Sequence, residues 1–321
     1  MENILVLGGH GFIGSHTCNI LKKQGHHIGV VDCYHHYHIF KDNEYIPVCM
    51  QRQSHAQADQ VFAGRIEDEQ FMEKVFDKFK PTVVIHLATY PNAYMVKHNV
   101  VDATNNMVVA TAVILNLCVK YNVRRFVFSS SSLVYGDFEY TPDEAHPRNP
   151  MTLYGSYKLQ GENMCKIWNR EHGLNYTIMR PSALYGTRDM IVRVIGKMAW
   201  SVLNTGKMTV QGNNKLDFSW VDDVADAFAR VAVNPLCDNQ IFNCTRGNGR
   251  TILEAAELIQ KYLGGEIITD DHDGFYPKRG SLNSDKLKSI TEWNPTVDIE
   301  DGVPAYVNWL VQQPYAKTIQ S

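Results

Sequence analysis

Within Tyr154-Gly155-Ser156-Tyr157-Lys158 a phenol and an ammonium stand four residues apart, the spacing that places both on one face of a helix. Such a pair can move a proton. An unperturbed tyrosine titrates near ~10, too high for a base at neutral pH. Lowering it by roughly three units takes about 4 kcal/mol of differential stabilisation. A neighbouring lysine and a second positive charge could supply that together. Tyrosine and lysine at this spacing are also common on exposed helices, so the pair by itself defines no site.

The start of the chain offers a source for the second charge. Ile4-Leu5-Val6-Leu7 runs straight into Gly8-Gly9-His10-Gly11-Phe12-Ile13-Gly14, and an amphipathic segment with Cys18, Ile20 and Leu21 follows. That order predicts strand, tight turn and helix. Gly8 lets the chain turn, Gly11 lets the backbone approach a diphosphate, and Gly14 lets the helix pack on the strand. The helix N-terminus offers free N–H groups and a partial positive charge to the phosphates. A second strand, Ile28 to Val31, ends in Asp32, at the spacing of a carboxylate that holds an adenosine ribose. A nicotinamide dinucleotide bound here would bring the positive ring to the phenol. Asp32 repels a 2′-phosphate and no Arg or Lys stands among the next several residues, which favours NAD over NADP; Lys41 and Arg52 are the cations that could fold back.

The chain has 321 residues, 44% of them hydrophobic and 20% charged, enough for one large or two smaller domains. A net charge of −3 gives no nucleic-acid surface. No N-terminal signal is read, and no segment approaches the roughly 18 to 20 apolar residues of a membrane span. The seven cysteines are scattered without CxxC spacing and read as reduced thiols of a cytoplasmic protein. Cys33 to Gln60 reads as a long loop with at most a helical turn. Its His35, His36 and His38 lack a carboxylate or cysteine partner at ligand spacing, so no metal is expected. A role over a bound ligand is plausible for a loop that starts beside Asp32.

Strands are expected at Val61–Ala63, Thr82–Leu87, Phe126–Phe128, Tyr176–Met179, Lys207–Gln211 and Gln240–Asn243. Helices are expected at Glu69–Phe79, Val101–Tyr121, Leu153–Glu171, Asp189–Leu203, Asp222–Val233, Leu253–Leu263 and Asp301–Leu310. The alternation predicts an α/β fold, a doubly wound parallel (Rossmann) sheet over 1–180 with 218–245 returning to it. A smaller C-terminal α/β substrate domain would fill 181–321.

The motifs taken together resemble an extended short-chain dehydrogenase/reductase of the NAD-dependent epimerase/dehydratase branch. They are Gly8 to Gly14 with Asp32, His86-Leu87-Ala88, Asn106, SSSSLVYG from Ser129 to Gly136, Tyr154 to Lys158, Arg180-Pro181, and FSWVDDV from Phe218 to Val224. They spread in order over about two-thirds of the chain. The resemblance makes Tyr154 the catalytic base. Lys158 would hold the nicotinamide ribose and lower the Tyr154 pKa, and Ser131 would hydrogen-bond the reacting sugar oxygen. Gly8, Gly11, Phe12, Ile13 and Gly14 would take the pyrophosphate and Asp32 the adenosine ribose. Ile66, Leu87, Ala88, Asn106 and Ser129 would line the cofactor, with Pro181 and Ser182 at the nicotinamide. Tyr90, Arg193, Trp220 and Arg279 would meet the nucleotide-sugar substrate.

The family's dehydratases commonly carry an Asp-Glu pair where this chain has Ser132 and Leu133, which favours C4 epimerisation through a transient keto-sugar. An NAD(P)-dependent nucleotide-sugar dehydrogenase, keto-reductase or dehydratase and a non-catalytic NAD-sensing protein stay open as alternatives. The chain departs from the family at Ala183, where an asparagine is usual, at Leu216, where a diphosphate-binding arginine is frequent, and at Arg65, where an acidic residue is usual. The resemblance also implies a homodimer through the helices Val101–Tyr121 and Leu153–Glu171.

Overall fold

The strands β1 (Asn3–Leu7) and β2 (His27–Asp32) carry unbroken buried runs, Ile4 to Leu7 and Ile28 to Val31, because the sheet they build is covered on both faces. The computed structural model describes residues 1–35, 41–138, 140–190, 192–212, 214–271 and 274–317. From the N-terminus the elements alternate. β1 is followed by α1 (Phe12–Lys23), then β2, α2 (Asp42–Ala56), β3 (Gln60–Ala63), α3 (Glu69–Phe79), β4 (Val83–His86) and the short α4 (Ala93–His98). Next come α5 (Val100–Lys120), β5 (Arg125–Ser129), α6 (Leu153–His172) and β6 (Tyr176–Pro181).

After Pro181 the elements shorten. They are β7 (Ala183–Tyr185), α7 (Val194–Thr205), β8 (Lys207–Gln211), β9 (Lys215–Trp220), α8 (Val221–Val233), β10 (Gln240–Cys244), β11 (Gly249–Thr251), α9 (Ile252–Leu263) and β12 (Glu266–Asp270). The chain ends with α10 (Asp285–Thr291), α11 (Ile299–Val311) and α12 (Pro314–Lys317).

Seven parallel strands form the main sheet in the order β10-β6-β5-β4-β1-β2-β3. The order reverses between β1 and β4, and the crevice beyond their carboxyl ends is where such sheets bind ligands. α1 and α8 cover one face through Phe12, Leu21, Val224 and Phe228; α3, α5 and α6 cover the other through Phe76, Ile114 and Met164. The segments after Pro181 that do not join this sheet build β11-β9-β7 and β12-β8, packed with α7, α9 and α11 around a second core.

Three expectations are corrected. Cys33–Gln60 is largely helical, because α2 buries Val48, Arg52 and Ala56 at four-residue spacing while Glu44 accepts from the Lys41 N–H at its start; His36, Tyr37 and His38 lie outside the described residues. The helix expected from Asp189 begins at Val194, since Asp189 turns inward to pair with Arg193. α5, with a mean hydropathy of 1.4 in its most apolar window, is long and apolar enough to cross a membrane. In this fold it lies on the sheet with Ala103, Ala110, Ile114 and Cys118 buried. All seven cysteines are free.

One buried ion pair joins the layers. Glu162 on α6 and Arg180 on β6 are both fully buried and meet through Nε–Oε1 at 2.8 Å and Nη2–Oε2 at 2.7 Å. Ser130 donates to Glu162 at 2.6 Å, and Arg180 donates to the Tyr135 hydroxyl at 2.7 Å. Tyr135 donates in turn to Asn243 on β10 at 2.7 Å. Removing one partner strands a buried charge, which costs about 3–5 kcal/mol. Glu162→Ala is expected to lose stability on that scale in urea unfolding, and a loss under 1 kcal/mol would refute this account of the pair.

Candidate active site

A cleft of about 510 Å³ opens at the switch point, between the sheet's carboxyl edge and the segments that follow Pro181. Its floor is the glycine turn. Gly8 has φ +75°, and a Cβ there would stand 2.7 Å from the Ala88 nitrogen, so only glycine lets the first turn lie against β4's exit. A Cβ on Gly14 would meet the Gly8 carbonyl at 2.2 Å. α1 starts from Gly11, which brings no capping side chain, and no acidic residue stands in its first turn. The N-terminal N–H groups at Phe12, Ile13 and Gly14 therefore remain for an anion.

Asp32, at the end of β2, accepts from the backbone N–H of His10 at 3.1 Å and of Tyr34 at 2.9 Å. Burial pushes its carboxyl up, and those N–H groups and the nearby His10 and Arg52 oppose the rise. The Tyr34 hydroxyl lies 2.9 Å from His10 Nδ1. Across the cleft, Asn106 sits in a π-helical turn of α5, Asn105–Val109, and its Oδ1 is buried without a hydrogen-bond partner. The glycine cradle, the fixed carboxylate and this orphaned acceptor fit a dinucleotide.

The second wall carries the candidate chemistry. Thr152 caps α6 by accepting from the Gly155 N–H at 3.1 Å, so the helix starts just before Tyr154. Tyr154 keeps part of its surface toward the cleft, beside Ser131. Burial pushes its phenol up to about 12, opposed by the Arg193 guanidinium and a hydrogen bond with Ser131. Lys158 is buried one turn on and donates to the Ser129 carbonyl at 2.7 Å, with Nζ 5.6 Å from the centre of the Tyr154 ring. Burial pushes its ammonium down to about 7. Lys158 was expected to depress Tyr154. In the ligand-free geometry its charge turns to Ser129 and is itself weakened, and Arg193 is the cation that most favours the phenolate.

Most residues expected from the sequence meet here. Gly8, Gly11, Phe12, Ile13, Gly14, Asp32, Ile66, Leu87, Ala88, Asn106, Ser129, Ser131, Tyr154, Pro181, Ser182, Arg193 and Arg279 all line the cleft. Lys158 stands behind Ser129 rather than on the surface. Two expected substrate contacts lie elsewhere. Tyr90 is buried with its hydroxyl donating to Asp102 at 2.6 Å, and Trp220 packs on Tyr185 while its Nε1 donates to Asp222 at 2.9 Å. Both aromatic rings are core. Ala183 and Leu216, two of the three departures from the family pattern, face the cleft, and Arg65 does not line it.

Arg52, which the sequence named only as a cation that could fold back, does line the cleft; sequence reading missed Tyr276, and Thr209 and Gln211 of β8. The last two were findable, since β8 alternates with Met208 and Val210 buried and both polar residues on the other face. Outside the cleft, His16, His55 and Asp222 bring three metal-type ligand atoms within 4.8 Å of one another. His16 Nδ1 already lies 2.5 Å from Asp222, which ties α1 to α8.

A parallel sheet with a glycine-turned helix at its switch point, facing a tyrosine, a serine and a buried lysine, defines a dinucleotide-dependent enzyme class. The family model described as NAD dependent epimerase/dehydratase matches residues 4–245, and the chain belongs to that family. Its cofactor is NAD. A protein of Methanocaldococcus jannaschii described as a putative UDP-glucose 4-epimerase is 33% identical, over 96% of this chain and 98% of its own length. The crystal structure of a UDP-glucose 4-epimerase from Thermotoga maritima with UDP-glucose is 27% identical with a TM-score of 0.85, over 96% of this chain and 98% of that one. A UDP-glucuronic acid 4-epimerase from Bacillus cereus, in complex with UDP-glucuronic acid and NAD, shares the fold at 22% identity and a TM-score of 0.87, over 96% and 99%.

The lowered Lys158 pKa has a consequence for stability. Between about pH 7 and the ordinary lysine value the unfolded chain binds the proton that the folded one releases. This group therefore makes NAD-free protein more stable as pH rises through that window, and the gain is lost as pH falls toward 7. Lys158→Met is expected to flatten that part of the curve in urea unfolding at pH 7, 8 and 9. A variant curve parallel to wild type would show that burial does not hold this ammonium down.

Proposed function

We propose that this protein is an NAD-dependent nucleotide-sugar 4-epimerase. The observation that carries the reading is the distribution of acids. Among the described residues lining the cleft the one carboxylate is Asp32, at the end away from Ser131 and Tyr154. Elimination of water needs an acid and a base beside the sugar. The places before Tyr135 where one would stand hold Ser132, fully buried, and Leu133. Proton transfer at a single hydroxyl needs only what is present.

In this reading Ser131 holds the sugar hydroxyl and Tyr154 takes its proton, later returning it. NAD, when bound, supplies a hydride acceptor and donor and a positive ring that lowers the phenol from about 12. Lys158 positions the nicotinamide ribose from behind Ser129. Gly8, Gly11 to Gly14 and Asp32 hold the dinucleotide, and Asn106 offers its unpaired oxygen. Arg279 is half-buried, its Nε is buried without a partner, and Nη1 makes a long contact of 3.4 Å to Ser132. That orphaned cation suits the diphosphate of a nucleotide sugar. The similarity to UDP-sugar 4-epimerases supports a uridine nucleotide.

Tyr154→Phe is expected to cut the interconversion of UDP-glucose and UDP-galactose by at least about 100-fold while leaving bound NAD unchanged. Turnover within a few-fold of wild type would overturn Tyr154 as base. NAD should leave freshly purified protein at close to one per chain on denaturation, with no net NADH formed during turnover. Net NADH formation matching product would instead establish a dehydrogenase.

The homodimer that the family resemblance implies is part of the proposal. Val100, Val101 and Val109 of α5 and Leu153 and Ile167 of α6 are exposed apolar residues. Val101→Glu with Val109→Glu is expected to halve the mass seen by light scattering; an unchanged mass would remove these helices from the interface.

A further inference from the structure

Arg52 has the features of a ligand-binding residue that neither the glycine turn nor the Tyr154 wall accounts for. α2 carries it from a segment that has no strand or glycine motif of its own to the cleft wall beside Asp32. The residue is only 8% exposed. Nε and Nη2 both donate to one oxygen, the Arg188 carbonyl, at 2.8 Å and 2.6 Å. Among the described residues Nη1 has no hydrogen-bond partner and no carboxylate lies within ion-pair distance; Asp189, the nearest on this wall, pairs with Arg193 instead. A buried guanidinium without a counter-charge is costly, and folds keep one where an anion arrives.

The surroundings say which anion. Arg52 Cζ lies 6.0 Å from the centre of the Phe12 ring, and Arg193 Cζ lies 4.9 Å from the same ring. Phe12 is the first residue of α1, whose free N–H groups face the cleft. Two guanidiniums and a helix N-terminus therefore converge on one place, and Arg193 already has its carboxylate. Asp32 stands on the ribose side with its two oxygens held by backbone N–H groups, so a 2′-phosphate would meet a fixed negative charge there.

We propose that Arg52 binds the diphosphate of the dinucleotide, closing over it from α2 while the N-terminus of α1 holds it from below. The bound diphosphate supplies the direct ion-pair partner that Asp189 and Asp32, which act on Arg52 from farther off, do not. The cleft thus offers two arginines to phosphates, buried Arg52 toward the cofactor and half-buried Arg279 toward the substrate.

The test compares ligands with and without the diphosphate. NAD, ADP-ribose and adenosine are titrated by calorimetry into nucleotide-free wild type, Arg52→Gln and Arg52→Lys, and NAD content after purification is measured by mass. Arg52→Gln is expected to weaken NAD and ADP-ribose by about tenfold or more and leave adenosine within about twofold. It should also purify with less NAD. Arg52→Lys should recover most of the loss. Equal weakening of all three ligands would overturn the proposal, since Arg52 would then act by anchoring Arg188 and α2. Unchanged affinities would overturn it too, as would a loss confined to NADP in a parallel titration. Should Arg52→Gln fail to fold, the same ratio in Arg52→Met decides.

Discussion

The contact between Glu162 and Arg180 is the constraint on which the site's geometry rests. It ties the middle of α6 to the end of β6, and its side branches reach Ser130, Tyr135 and, through Tyr135, Asn243 on β10. Tyr154 and Lys158 project from the first turns of α6, and Ser129 and Ser131 from the exit of β5. Two elements far apart in sequence must hold those groups in register within the reach of a hydrogen bond. A bidentate charged pair with no exposed surface fixes both separation and rotation, which apolar packing of the same helix would leave looser. Its members are specific because each is the other's only charged partner within hydrogen-bond reach among the described residues.

Around that frame the cleft is arranged by charge. It is poor in carboxylates and rich in cations, with Asp32 at one end and Arg52, Arg193 and Arg279 along the walls. Burial acts oppositely on the two groups of the chemical wall, raising the phenol of Tyr154 and lowering the ammonium of Lys158. In the proposed reading the protein supplies placement and a dry environment, and a bound nicotinamide would add the positive charge that favours the phenolate.

The parts legible in the sequence were those where local chemistry and position coincide. The glycine turn works through backbone space, and Gly8 needs its φ of +75° whatever surrounds it. The alternation of β1 through β6 with helices, α2 and the short α4 excepted, could be read from apolar runs alone. Legibility failed where a residue type serves two purposes. Trp220 and Tyr90 have the rings expected of sugar contacts, and both are committed to the core by neighbours distant in sequence. α2 was hidden because its inner stripe contains Arg52 and a proline, Pro47, lies within it. The short β7 and β11 carry too few residues to show a period, and β9 shows none because it is buried at every position after Lys215. Lys158 was placed correctly on its helix face, yet only the fold reveals that its proton is shared with the Ser129 carbonyl.

The π-helical turn of α5 makes chain length itself a variable of the site. Such a turn holds one residue more than an α-turn, so the helix before Asn105 is rotated by roughly 100° against the one after Val109. That rotation lets Ala103 and Met107 pack with Tyr90 near Tyr154 while Ala110 and Ile114 lie on the sheet. A lineage that dropped one residue between 105 and 109 would regain a regular helix and its full hydrogen bonding. It would also swing Asn106 off the cleft wall or unseat the Tyr90 cluster. Substitutions here are small steps, whereas a single-codon deletion is a large one, and the extra residue can be gained or lost only together with the contact it makes.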